Sequence, residues 1–195
     1  MQQELFRKSI HLFTDSLIPL VYLLLNIPRN WMAIVIGIAS VAFVIIDFGR
    51  TRNGGWLSKI FVKLFNGMLR SHELEGKLTG ASYVLIGSFI SIAIFPKEIA
   101  VLALLFTAIG DSAAALYGRK FGKLRIWNKT LEGSIAGFVA CLIITLFFPD
   151  IPNIIKFSGA FAAMFIELLP INIDDNLRIP LFSGIVMYIL SNLII

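Results

Sequence analysis

Cysteine is nearly missing from this chain: Cys141 stands alone, inside an apolar segment. That excludes an intrachain disulfide and leaves packing as the residue's role. Charge is scarce as well, at 15% of residues against 57% that are hydrophobic, a balance that excludes a soluble domain. Low-complexity tracts and internal repeats are absent. The first apolar stretch contains Asp15 and lacks the small-residue cleavage site of a signal peptide. The formal net charge is +5, but the basic residues fall in the gaps between apolar segments. Membrane topology is their first explanation and anionic lipid or nucleotide phosphate the second, so nucleic acid is not expected as a partner.

What the chain has in abundance is apolar length. Seven stretches approach the ~20 residues that a bilayer-spanning helix needs: 8–25, 31–48, 78–95, 98–117, 130–148, 153–169 and 178–195. Prolines and short polar turns separate them, at 26–30, Pro96, Pro149 to Pro152, and Pro170. The long connection from Gly49 to Lys77 differs in kind. Trp56, Leu57, Ile60, Phe61, Leu64, Phe65 and Met68 recur there at helical spacing with Lys59, Lys63 and Arg70 between them, the pattern of an amphipathic helix lying in the interface. The expected fold is all-α: one polytopic membrane domain over 1–195 with about seven transmembrane helices and one interfacial helix. Fourteen of the 17 lysines and arginines fall on the side of the N-terminus, leaving Arg29, Lys97 and Lys156 on the other. The positive-inside rule then puts the N-terminus in the cytosol and the C-terminus on the opposite side.

On that topology seven acids from separate segments gather at or just below the cytosolic boundary: Asp47, Glu75, Asp111, Glu132, Glu167, Asp174 and Asp175. Acids at such depth usually face a wet cavity, a partner charge or a metal. Gly110-Asp111-Ser112 ends an apolar run, and Gly118-Arg119-Lys120-Phe121-Gly122-Lys123 follows. Gly118 and Gly122 with Arg119 and Lys123 read as a flexible cationic loop suited to phosphates, although a plain positive-inside loop looks much the same. Small residues at 112–115 also permit close helix packing. Lys129-Thr130-Leu131-Glu132-Gly133-Ser134 opens the fifth span, where a helix start offers N–H groups to an anion, with Lys129 and Glu132 on one face. Glu75 and Lys77, ahead of Thr79 and Gly80, repeat that logic at the third span.

Two further clusters stand at the ends of the chain. Glu4, Arg7, Lys8, His11 and Asp15 share one helical face, and His11 with Asp15 one turn on suits a base with an orienting acid. An ion-paired start to the first span is the alternative. Asp174, Asp175 and Asn176, after Glu167 and Pro170, supply oxygen ligands of the kind Mg²⁺ prefers. The alternative there is a solvated turn with Asp175 or Asn176 as the N-cap of the last helix.

In combination these segments resemble the membrane lipid kinases that include dolichol kinase, phytol kinase and CTP-dependent diacylglycerol kinase. The matching pieces are ELFRKSIH at 4–11, ELEGKLTGASY at 73–83, GDSAAALYGRKFGK at 110–123, NKTLEGSIAGF at 128–138 and ELLPINIDDNLRIPL at 167–181. The central part is also similar to phosphatidate cytidylyltransferases, but their charge-dense terminal segment is missing. The resemblance implies transfer of the γ-phosphoryl group of CTP to the hydroxyl of a polyprenol, isoprenoid alcohol or diacylglycerol, with Mg²⁺ as cofactor. It assigns Asp111, Asp174, Asp175 and Asn176 to the metal, and Asp111, Asp175, Glu132 and His11 to catalysis. Gly118, Arg119, Gly122, Lys123, Lys129, Thr130, Gly133 and Lys77 would hold the nucleotide. A cytidylyltransferase is the enzymatic alternative. A small transporter is the more distant one, since transporters place their site near the midplane, often with repeat symmetry. A bundle this small leaves a homodimer open.

Overall fold

The computed structural model describes residues 2–53 and 78–194. The expected interfacial helix at 56–70, and Glu75 and Lys77, lie outside the described residues. Among the described residues seven helical rods follow one another: α1 Gln2–Leu24, α2 Arg29–Asn53, α3 Gly80–Ile94, α4 Lys97–Phe121, α5 Leu131–Thr145, α6 Asn153–Leu168 and α7 Asp175–Ile194. The chain is an all-α membrane protein. A short antiparallel hairpin, β1 Arg125–Ile126 and β2 Lys129–Thr130, is the one addition to the helices among the described residues. It turns at Trp127, whose φ is 53°.

Among the described residues three helices combine the length and apolar composition needed to cross a membrane: Arg29–Gly49, Lys97–Phe121 and Asp175–Ile194. Of these α4 is the central rod, 78% buried in its apolar window against 22% and 28% for α2 and α7. α1, α5 and α7 pack around it, α2 lies on α3, and α6 lies between α5 and α7. α3, α5 and α6 have only 15, 15 and 16 residues, shorter than the apolar runs that contain them. Their sequences stop them: threonine caps at Thr79 and Thr130 fix two starts, and prolines follow two of the ends.

α4 is not uniform. Phe106–Asp111 forms a π-helical turn, an insertion that re-aims the side chains beyond it and that recurs at functional sites. After it the helix continues to Phe121, so Gly118 and Arg119 belong to its last turns and only Gly122 to Leu124 is loop. The reason is packing. Gly118 and Gly133 face each other where α4 meets α5, and a Cβ on Gly133 would stand 2.6 Å from the Ala114 carbonyl oxygen. The same seam buries Ala114, with Cys141 further along α5.

Alternation of the seven rods brings the ends of α2, α4 and α6 and the starts of α1, α3, α5 and α7 to one end of the bundle. Buried Asp47 at the end of α2 accepts hydrogen bonds there from Thr79 N at 2.8 Å, Thr79 Oγ1 at 2.9 Å and Ser82 Oγ at 2.7 Å. It caps α3 from another helix and places negative charge at the positive end of the helix dipole. At the opposite end Lys97 donates to Asn26 Oδ1 at 3.2 Å, and Lys156 donates to the Phe148 carbonyl at 3.0 Å.

Two stability effects follow. Gly133→Val should lower the detergent-solubilised protein's stability by about 1–3 kcal/mol through overpacking. Gly49→Ala, where an added Cβ meets nothing within 4 Å, should leave it unchanged in the same thermal melt. Asp47→Ala, which strips three donors of their acceptor, should cost about 2 kcal/mol in that assay.

Candidate active site

The centre of the site is the Lys129 ammonium. β2 carries it past the start of α5, where Thr130 caps the helix by accepting from Gly133 N at 3.3 Å. From there Lys129 Nζ lies 2.5 Å from Glu167 Oε1 and 3.0 Å from Asp175 Oδ2. One cation thus joins the hairpin, the end of α6 and the start of α7. Glu167, only 3% exposed, has its second oxygen occupied by Ser134 Oγ at 3.0 Å. Asp175 Oδ1 takes Arg178 Nε at 2.6 Å. The same guanidinium donates to the carbonyls of Leu169 at 2.8 Å and Glu167 at 3.1 Å, tying down the α6–α7 turn.

Asp111, 8% exposed at the end of the π turn, is close enough to add to the field on Lys129. Burial on its own would pull the Lys129 ammonium down. Asp175, Glu167 and Asp111 outweigh it and hold the group above the ordinary lysine value of 10.5. The cation therefore stays charged at any pH at which an enzyme works. A permanent ammonium among three carboxylates from separate helices can receive phosphate oxygens as one carboxylate is displaced.

The other expected site residues divide between this cluster and two neighbouring groups. Lys129 and Glu132 do not share a face, because Lys129 is in a strand; Glu132 turns back to accept from Leu124 N at 3.0 and 3.2 Å, holding the loop that carries Lys123. Gly118, Gly122, Gly133 and Thr130 form the contact between that loop and α5. Arg119 and Lys123 are exposed at the same end of the bundle. The N-cap of α7 is Asp174, not Asp175 or Asn176: its Oδ1 accepts from Asn176 N at 3.0 Å, leaving Asp175 to Lys129 and Arg178.

Asn176 faces the other way, its Nδ2 lying 3.4 Å from His11 Nε2. His11 Nδ1 lies 2.7 Å from Asp15 Oδ2. Among the described residues, no three His, Cys, Asp or Glu side chains are grouped to hold a metal by themselves. The sequence reading places Glu167 among the boundary acids without a specific role, and gives none to Ser134 or Arg178. For Glu167 the signal was a carboxylate ending an apolar helix just before Pro170; for Arg178 it was the i, i+3 spacing from Asp175.

Lys129→Met would leave Glu167 and Asp175 without their shared cation, an expected loss of about 3 kcal/mol in thermal or denaturant unfolding. The raised lysine gives the sign of the pH effect. Its stabilisation is complete below the ordinary value of 10.5 and fades as pH climbs through the higher folded value. Melting temperature should therefore show an alkaline decline above that point which the methionine variant lacks.

No family model and no solved structure matches the chain. Curated relatives do. An uncharacterized protein of Rickettsia prowazekii is 30% identical over 185 residues, 90% of this chain and 88% of that one. CTP-dependent diacylglycerol kinase 1 of Schizosaccharomyces pombe is 28% identical over 214 aligned residues, 97% of this chain and 94% of that protein. A probable chloroplastic phytol kinase of Glycine max is 27% identical over 146 residues, 63% of this chain and 48% of its own. With relatives of both names, one of them matched over 97% of this chain, the chain belongs to the family of CTP-dependent membrane lipid kinases.

Proposed function

We propose that this lipid kinase moves the γ-phosphoryl group of CTP onto the hydroxyl of a lipid alcohol, a diacylglycerol or an isoprenoid alcohol, at the cytosolic face of its membrane. The observation that carries the reading is the convergence of Asp111, Glu167 and Asp175 on Lys129. Phosphoryl transfer asks for positioning and charge neutralisation more than for covalent chemistry, and this cluster supplies charges of both signs at fixed positions. Lys129 is the phosphate ligand, with Arg119 and Lys123 at the mouth of the site drawing in the polyphosphate. His11, beside Asp15, receives the proton of the attacking hydroxyl.

The donor set fits Mg²⁺, which takes one or two carboxylates and completes its shell with substrate phosphates and water. Asp111 with Asp175 or Asp174 would hold it, and bound there it would offset charge on the phosphates. The orientation rests on the charge pattern of the sequence, in which fourteen of the 17 lysines and arginines fall in segments on the side of the N-terminus.

The test is transfer from γ-labelled CTP or ATP, with Mg²⁺, to a panel of lipid alcohols in micelles. Label is expected in the lipid with CTP as donor. Asp111→Asn should reduce the rate by about 100-fold or more while leaving the melting profile near wild type. Pyrophosphate release from CTP with phosphatidate, and no labelled lipid, would instead make the protein a cytidylyltransferase.

A further inference from the structure

We infer that the acceptor hydroxyl binds in a small cavity between α1, α3, α4 and the first turn of α7, with Ser88 and Asn176 as its positioning residues. This rests on the kinase reading and extends it to the second substrate. The cavity is lined by Asp15, Val84, Ser88, Leu104, Thr107 and Asn176, and has about 10 Å³ of room for the centre of a water-sized group. That is the size of one hydroxyl or one water, and too small for a phosphate. Four of its six lining residues are polar and buried: Asp15, Ser88, Thr107 and Asn176. Ser88, only 1% exposed, has a hydroxyl with no hydrogen-bond partner among the described residues. A polar group left so in a membrane bundle costs stability unless something polar meets it.

The backbone adds to this. Pro19 and Pro180 are both fully buried inside helices. Proline has no N–H to give to the carbonyl four residues earlier. Those carbonyls belong to Asp15 and Asn176, two residues that line the cavity. Each proline thus withholds the usual helical donor from a cavity-lining residue, an arrangement that membrane helices tolerate where backbone faces a cavity. Gly87 lets α3 close against this turn, since a Cβ there would run into the Asn176 carbonyl oxygen.

Position relative to the phosphate site is the next point. Consecutive residues of α7 point to the two sides: Asp175 to Lys129, Asn176 to His11. An alcohol in the cavity replaces the loose 3.4 Å contact between Asn176 Nδ2 and His11 Nε2 with hydrogen bonds of its own. Its oxygen attacks Pγ, the Pγ–O bond to the nucleoside diphosphate breaks, and the diphosphate leaves with the electron pair. The hydroxyl proton passes to His11 Nε2 and then to solvent, while Asp15 stands 2.7 Å from Nδ1. The tail reaches the cavity from the bilayer. α1 lies along α4 and touches α3 at few points, and Phe13, Leu17 and Leu20 are exposed along α1.

The experiment uses the full chain in nanodiscs, with His72→Gln making His11 the single histidine. The ¹⁵N signal of His11 is followed while dioctanoylglycerol or geraniol is added, and in parallel their O-methyl ethers. A shift of Nε2 with the alcohols and none with the ethers is expected. Kinetics of Ser88→Leu, which fills the cavity, should show KM for the alcohol raised about tenfold or more with KM for CTP unchanged; Ser88→Ala, which removes only the hydroxyl, should give a smaller rise in the same constant. Normal phosphoryl transfer with a silent His11 signal and unchanged alcohol KM in both variants would mean that the cavity holds a structural water, and would overturn the inference alone. A hydroxyl-specific shift in a protein that phosphorylates no alcohol would keep the binding site and overturn the kinase reading instead.

Discussion

The whole functional end of this bundle depends on one cation. Lys129 is held by Glu167 from α6 and Asp175 from α7, with Asp111 from α4 in range, so a single ammonium fixes the relation of three helix ends and a hairpin. Burial of so many charges at a membrane boundary is unfavourable unless they are paired. Arg178 extends the constraint by bonding both Asp175 and the carbonyls at the end of α6. The α6–α7 turn is therefore specified by side chains that also form the site. Stability and function are linked at this position, and a change that relaxes one will disturb the other.

How much of this was legible in the sequence follows from range. The helical class and the order of seven apolar segments came from composition and length, which are local properties. His11 beside Asp15 is likewise local, being one turn of one helix. The Lys129–Glu167 and Lys129–Asp175 contacts join residues 38 and 46 positions apart, and no spacing rule reaches that far. The pairing of Lys129 with Glu132 looked sound on helical spacing, but the hairpin placed the lysine outside the helix and sent Glu132 back to Leu124. Gly118 and Gly133 show the same limit. Glycine in a basic segment reads equally well as a phosphate loop or as a close helix contact, and only the facing helix distinguishes the two.

α4 explains why chemistry can sit at the end of so apolar a bundle. It is the most enclosed of the three long apolar helices, yet it contains a π turn ending in Asp111 and continues into a basic tip at Arg119 and Lys120. The turn brings a buried acid towards the start of α5 without breaking the rod. Its neighbours compensate by being short: α3, α5 and α6 leave their termini, with N–H and carbonyl groups that need partners, near the same level. Asp47, Thr130 and Arg178 satisfy some of those groups. The polar character of this end is thus a consequence of where helices stop as much as of which residues bind substrate.

The start of α7 is where the donor and acceptor sides are brought into register. A helix presents consecutive side chains about 100° apart, so two neighbouring residues can face two different sites without any loop between them. Asp175 faces Lys129 and Asn176 faces His11, with Asp174 capping the turn on which both depend. Pro180, buried one turn later, denies the Asn176 carbonyl its helical donor, and Gly87 presses against that same carbonyl. A rigid turn of this kind fixes the position of His11's partner relative to that of Lys129, and under the proposed function it would fix the distance between phosphate and hydroxyl. In-line transfer needs that distance to be constant more than it needs either group to be unusually reactive.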